Sequence, residues 1–458
     1  MRNGRRGLAA LVAVGLVATI AACSSGGGDD DTVDTSAPVT IKVQGLPVAT
    51  DKANRAAFQK NVEQFEADNP NITVKATDEI YSSAAFTTQF AGGTAPTVIV
   101  VPFTEPAALI AREQVADISK EIADIGELDS LNPAALGVLK ADDKLYGVPQ
   151  NVYALGLVYN RELFTKAGLD PDKPPATWDE VRADAKAIKE KTGVAGFGSM
   201  TSNGTGGWQL TAQTVSSGDV IQKADGDKFT STIDNPATRS ILQWQHDLRF
   251  TDDSIGTNVL REQPDAEKAF ASGQVGMIIA TPSYYNRYIG QYAGKPADFG
   301  VTSMPQANDA NKALIGGTAV MVTSTASAAE RAAAVKWIYY EYVRPQLDTT
   351  AAANQAKANN ADGIGVGVPL LPLFDDETQA KISAAIKPYV NIDLDHFAPY
   401  IDGVKKLTFV PEPSVATQQI YKSLDTVVQQ VLTKPDADID ALLQKADKQA
   451  QSLIDQAG

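Results

Sequence analysis

Gly92-Gly93-Thr94-Ala95-Pro96-Thr97-Val98-Ile99-Val100-Val101 decides the fold. A turn built on glycine and proline leads into a run of apolar, mostly β-branched residues with no polar alternation. Such a strand has both faces covered, as in a parallel sheet flanked by helices. Upstream, Val39-Thr40-Ile41-Lys42-Val43 has strand chemistry and ends at Gly45 and Pro47. Phe58, Val62 and Phe65 then recur at helical spacing, Asn69-Pro70 stops that helix, and Ile72-Thr73-Val74 predicts a second strand. A further amphipathic stretch around Phe86 and Phe90 completes a β-α-β-α-β opening, the start of a doubly wound α/β lobe.

Downstream the pattern continues. Thr177-Trp178-Asp179-Glu180 and Ser327-Ala328-Ala329-Glu330 are capping boxes, each followed by apolar residues at helical spacing. Strands are expected at 154–159, 275–280 and 318–323. The chain beyond 412 reads as helical, closing on Ile439, Leu442, Leu443, Ala446 and Leu453. At 458 residues the chain exceeds the size at which a single core stops growing, which predicts two lobes.

The chain opens with Arg2, Arg5 and Arg6, then an apolar run to Ala22, shorter than the roughly 20 residues a spanning helix needs. The run ends in Thr19-Ile20-Ala21-Ala22-Cys23, which looks like a bacterial lipobox. Residues 1–22 are therefore expected to be a lipoprotein signal peptide, with Cys23 acylated as the membrane anchor. Residues 23–38, beginning Ser24-Ser25-Gly26-Gly27-Gly28-Asp29-Asp30-Asp31, read as a flexible tether. Cys23 is the sole cysteine, so neither an intramolecular disulfide nor a cysteine metal cluster can form. The net charge of −15 becomes three units more negative when Arg2, Arg5 and Arg6 are removed, which argues against a nucleic-acid partner.

Recognisable catalytic spacing is missing: there is no G-x-S-x-G elbow, no phosphate-binding P-loop and no H-E-x-x-H. His246 and His396 are the only histidines. Asp436, Asp438 and Asp440 lack the central glycine and closing glutamate of an EF-hand loop. Gly363-Ile364-Gly365-Val366-Gly367 departs from the dinucleotide fingerprint. No metal and no cofactor is expected, and no enzyme, although a converging pair among the 55 acidic residues is not ruled out by sequence.

Four segments together resemble the family of extracellular solute-binding proteins that includes maltose-binding protein. They are Phe90–Ile99; Tyr146-Gly147-Val148-Pro149 with Leu157–Phe164 and Pro175–Glu180; Ala269–Met277; and Met304-Pro305 leading to Ile315–Thr318. Thr97 stands where the family usually has Asp. The resemblance runs from about 39 to 455. It implies a periplasmic-binding-protein-like fold, with two α/β lobes joined by a hinge and a ligand held in the cleft. Expected crossings near 150–153, 299 and 375 divide the chain into 39–152 plus 299–374 for lobe 1 and 153–298 plus 375–458 for lobe 2.

A sugar offers hydroxyls and C–H faces, so its cleft needs polar and aromatic side chains at strand ends. By that reasoning and by the resemblance, Gln44, Phe103, Thr104, Glu105, Asn151, Tyr153, Trp208, Tyr284, Tyr285, Asn286 and Gly317 are the candidate ligand residues. Trp208 is read as lying in a glycine-rich loop; Trp178, Trp244 and Trp337 are read as packing. Tyr421 is the only counterpart to the family's stacking aromatics around 411–421. The implied activity is capture of a mono- to trisaccharide by a monomeric, membrane-anchored receptor serving an ABC-transporter permease. Three alternatives stay open: a glycerophosphodiester or other polar metabolite as ligand, which calls for a cationic cleft and finds little beyond Arg287; a secreted glycan hydrolase; and a chemosensory or cell-wall scaffold role on the same fold.

Overall fold

A computed structural model describes residues 37–125, 128, 131, 133–225, 228–307 and 309–457. The expected signal peptide, Cys23 and nearly all of the tether lie outside the described residues.

The opening follows the β-α-β-α-β order: β1 (Val39–Gln44), α1 (Lys52–Asp68), β2 (Ile72–Thr77), α2 (Ser83–Ala91) and β3 (Val98–Pro102). β1 lies between β2 and β3 and is parallel to both. Asp51 caps α1 by accepting from the Asn54 N–H. The Phe58 and Phe65 side chains of α1 meet the Trp337 ring edge-on at 5.6 and 5.2 Å. Such aromatic contacts add to the burial that holds a helix on its sheet. Trp337 belongs to a later helix whose start, at Ser327, is a complete capping box, as is the one at Thr177.

Next come β4 (Gly147–Ala154) and β5 (Gly156–Asn160), helix α3 (Trp178–Thr192), and α4 (Thr205–Ser216), which packs on α5 (Pro236–Phe250). α6 (Gln263–Ala271), β6 (Met277–Ala280), α7 (Tyr284–Gly290), β7 (Phe299–Ser303) and β8 (Lys312–Val322) follow. β9 (Thr408–Pro411), α8 (Thr417–Thr433) and α9 (Ile439–Ala457) end the chain. β5 is the centre of a second sheet, antiparallel to β6 on one side and β7 on the other. All five β5 residues are buried, which accounts for the apolar run Leu157-Val158-Tyr159, while buried Asn160 at its end accepts from the Leu163 N–H.

β8 joins the two halves. Its first residues, Lys312–Ile315, pair with β9, and its last, Thr318–Val322, pair with β3; β4 runs antiparallel beside its middle, with a register break between Thr318 and Ala319. Leu314 accordingly packs in a core with Leu157, Trp244 and Leu424, whereas Ala319–Val322 pack with Val43, Val101 and Trp337. Phe299–Ser303, where the sequence reading placed a passage between lobes, instead pairs throughout with β5, and Phe299 packs among Tyr284, Tyr285 and Phe397. The reason is apolar: moving Phe299 out of this cluster would expose a fully buried ring.

Candidate functional site

The site forms where β4 and β8 leave one core for the other. Tyr153, near the end of β4, and Trp208, in the first turn of α4, meet edge-to-face with centroids 6.2 Å apart. Trp208 is thus helical and half-buried, not in a loop as the sequence suggested. The glycines that prompted that expectation have a packing cause: a Cβ at Gly207 would lie 2.2 Å from the Tyr421 carbonyl oxygen. Asp425 of α8 completes the junction, accepting from the Gly204 N–H at 2.6 Å and the Gly207 N–H at 3.1 Å, so a buried carboxylate caps α4.

Glu412, just past β9, is the residue that sequence reasoning missed. Its carboxylate accepts from the Tyr421 hydroxyl at 3.0 Å, and the Trp208 indole lies near enough to favour its charged form. Burial drives its pKa up to about 7, although these two donors act to lower it. The same carboxylate raises the Tyr153 hydroxyl pKa, after burial itself. Gly316 of β8 faces this group so closely that a Cβ there would lie 2.6 Å from Glu412 Oε2 and 2.9 Å from the Tyr153 ring. A cavity of about 200 Å³ opens beside Glu412, lined by Thr211, Gln222, Phe229, Leu314 and Pro413 among others. The missed signal was Val410-Pro411-Glu412-Pro413: paired prolines forbid helix and hold an acid in an extended segment. Tyr421 itself is buried and serves Glu412 rather than presenting a free ring face.

Thr104 and Glu105 follow β3 and are buried at 6 and 7% exposure, which is unusual for polar loop residues. Their partners explain it. Thr104 Oγ1 accepts from Gln418 Nε2 of α8 at 2.9 Å, linking the two lobes, and Gln291 makes a second such link to Thr50 at 3.1 Å. Glu105 accepts from the Tyr81 hydroxyl at 3.0 Å; burial raises its pKa, opposed in turn by Tyr81, Arg112 and Lys422. Phe103 lies against Gly317, where a Cβ would overlap its ring at 2.5 Å. Asn151 donates to Thr318 Oγ1 at 2.7 Å, which donates to Gln150 Oε1 at 2.7 Å, while Asn151 Oδ1 is buried without a partner among the described residues.

The remaining candidates are elsewhere or otherwise engaged. Gln44 Oε1 accepts from the Val100 N–H, tying β1 to β3. Tyr284 is fully buried and donates to the Glu267 carbonyl at 2.6 Å; Tyr285 is buried among Phe299 and Phe397; Asn286 accepts from the Gly365 N–H. The structure therefore brings Tyr153 and Trp208 together and joins Thr104 to α8, but sets Tyr284 and Tyr285 in a core. Arg287, the cation weighed for an anionic ligand, is paired with buried Glu267. Trp178, Trp244 and Trp337 are buried, as their spacing predicts.

Two α/β lobes joined through shared strands define a periplasmic-binding-protein-like receptor fold. Residues 49–340 match the family model described as bacterial extracellular solute-binding protein, and the chain belongs to that family. A binding protein of Brucella abortus is 33% identical over 158 residues, which span 34% of this chain and only 36% of that relative. The diacetylchitobiose binding protein DasA of Streptomyces coelicolor is 25% identical over 284 residues, 60% of this chain and 63% of that one. The GacH receptor of Streptomyces glaucescens, solved unliganded and with acarbose, superposes with a TM-score of 0.70 at 20% identity, covering 91% of this chain and 98% of that one.

Proposed function

We propose that this protein is the substrate-binding lipoprotein of an ABC importer, anchored outside the cell through Cys23, and that it captures a small carbohydrate by hinge closure and passes it on to a permease. The observation that carries the reading is the grouping of Tyr153, Trp208 and Glu412 where the lobes join. Aromatic rings suit the C–H faces of a sugar, and a carboxylate accepts its hydroxyls. The family match and the likeness to DasA support a sugar or related ligand. For the lobes, the proposed division runs 39–152 plus 319–374 against 154–314 plus 375–457, with β8 spanning the join. Closure follows when the ligand favours the closed state. Thr104, Glu105, Gln418 and Lys422 form the edge across which that closure is read.

A thermal-shift screen against mono- to trisaccharides tests the proposal, since a solute that binds only the folded state raises its melting temperature. At least one sugar is expected to stabilise the protein and to be recovered intact. Cleaved sugar would favour the hydrolase alternative, and stabilisation by a glycerophosphodiester alone would replace the ligand class.

A further inference from the structure

We propose that Arg261 receives an oxyanion, a carboxylate or phosphate group of the captured solute, at the cleft-facing rim of the second lobe. The inference rests on the receptor reading above. Arg261 is 7% exposed, and its Nη1 is enclosed without any hydrogen-bond partner among the described residues. Among the described residues it forms no ion pair; Asp265 acts on it only through space, and burial lowers its pKa despite that charge. The contrast with Arg287 is instructive, because that guanidinium sits on the Glu267 carboxylate. An uncompensated buried cation is costly and calls for an explanation beyond packing.

The backbone shows where it sits. Arg261 and Thr201 bond reciprocally: the Thr201 N–H donates to the Arg261 carbonyl at 2.9 Å, and the Arg261 N–H to Thr201 Oγ1 at 3.2 Å. Thr201 follows a segment that runs parallel beside β6, with Gly198 opposite Ile278. Continuing in that direction leads to the end of β6 where Ala280 faces Gly156, immediately after the hinge strand β4. The same segment then enters α4 and Trp208. Ligands of open α/β sheets lie outside the carboxyl ends of strands, and this is such an end. A guanidinium offers a planar fork of N–H donors matched to two oxygens, so the fitting chemistry is an acidic sugar or a phosphorylated polyol rather than a neutral one.

The test uses the full chain as wild type, Arg261→Met and Arg261→Lys, melted alone and with inorganic phosphate, glycerol 3-phosphate, glucuronate, glucose or maltose. Without ligand, R261M is expected to melt at or above wild type, because an unpaired buried charge is gone. At least one oxyanion should stabilise wild type, with glucuronate and glycerol 3-phosphate distinguishing carboxylate from phosphate. R261M should bind that anion roughly 10- to 100-fold more weakly, and R261K in between. A melting temperature several degrees lower for R261M would make Arg261 a structural residue and overturn the proposal. So would the absence of any oxyanion response, or an equal response in R261M. Stabilisation by glucose or maltose in both proteins without an oxyanion effect would overturn this inference while leaving the receptor reading intact.

Discussion

Replacing Glu412 by glutamine should reduce the pH dependence of stability between pH 4.5 and 7. The carboxyl titrates near 4.5 when free and at about 7 in the folded protein, raised by burial. Between those values the folded state keeps a proton that the unfolded chain has released. Its contribution is therefore fully present below pH 4.5 and lost as pH rises through 7. The shift corresponds to about 3 kcal/mol. Glutamine has the shape of the protonated acid and keeps one oxygen to accept from Tyr421 or Trp208, so E412Q should match wild type near pH 4.5 and melt a few degrees higher at pH 8. The assay is a series of thermal melts from pH 4.5 to 8.5. Glu341, raised by burial to about 8 and hydrogen-bonded to Asn61, adds a slope of the same sign that E412Q leaves in place and E341Q/E412Q should reduce further. Melts of E412Q that fall with pH as steeply as wild type would refute the reasoning.

Trp208→Ala should weaken sugar binding at least roughly tenfold by titration calorimetry while leaving the melting temperature of the free protein within a few degrees, since the ring is half-buried. Tyr284→Ala should do the reverse: the fully buried ring and its bond to Glu267 predict a loss of about 3–5 kcal/mol in denaturant melts. Asp425→Ala leaves the buried Gly204 and Gly207 N–H groups without their acceptor and should cost about 1–3 kcal/mol in the same melts.

The sheet that positions the site was legible where local chemistry dominates. Apolar, β-branched β3 between two helices, and two capping boxes, are signals that packing has no reason to override. β8 was foreseen only at 318–323, because Gly316 and Gly317 interrupt its pattern, and those glycines exist to admit Glu412 and Phe103 from other segments. Trp208 was misplaced in conformation for a similar reason: glycines that suggest a loop are required by the close approach of α8. Tyr284 and Tyr285 show the converse error. A tyrosine pair after a strand suits a cleft or a core equally well, and only the tertiary neighbours Phe270, Phe299 and Phe397 decide for the core. Gln418 and Arg261 were invisible because each acquires meaning from a partner, or from the lack of one, far away in sequence, and Glu412 left only the trace of its flanking prolines.

Closure around an unaltered solute is most directly tested by small-angle X-ray scattering of the chain with and without a saturating amount of whichever sugar stabilises it. The account predicts a smaller radius of gyration with ligand, reversed when the ligand is dialysed away. Superimposable scattering curves at proven saturation would contradict it.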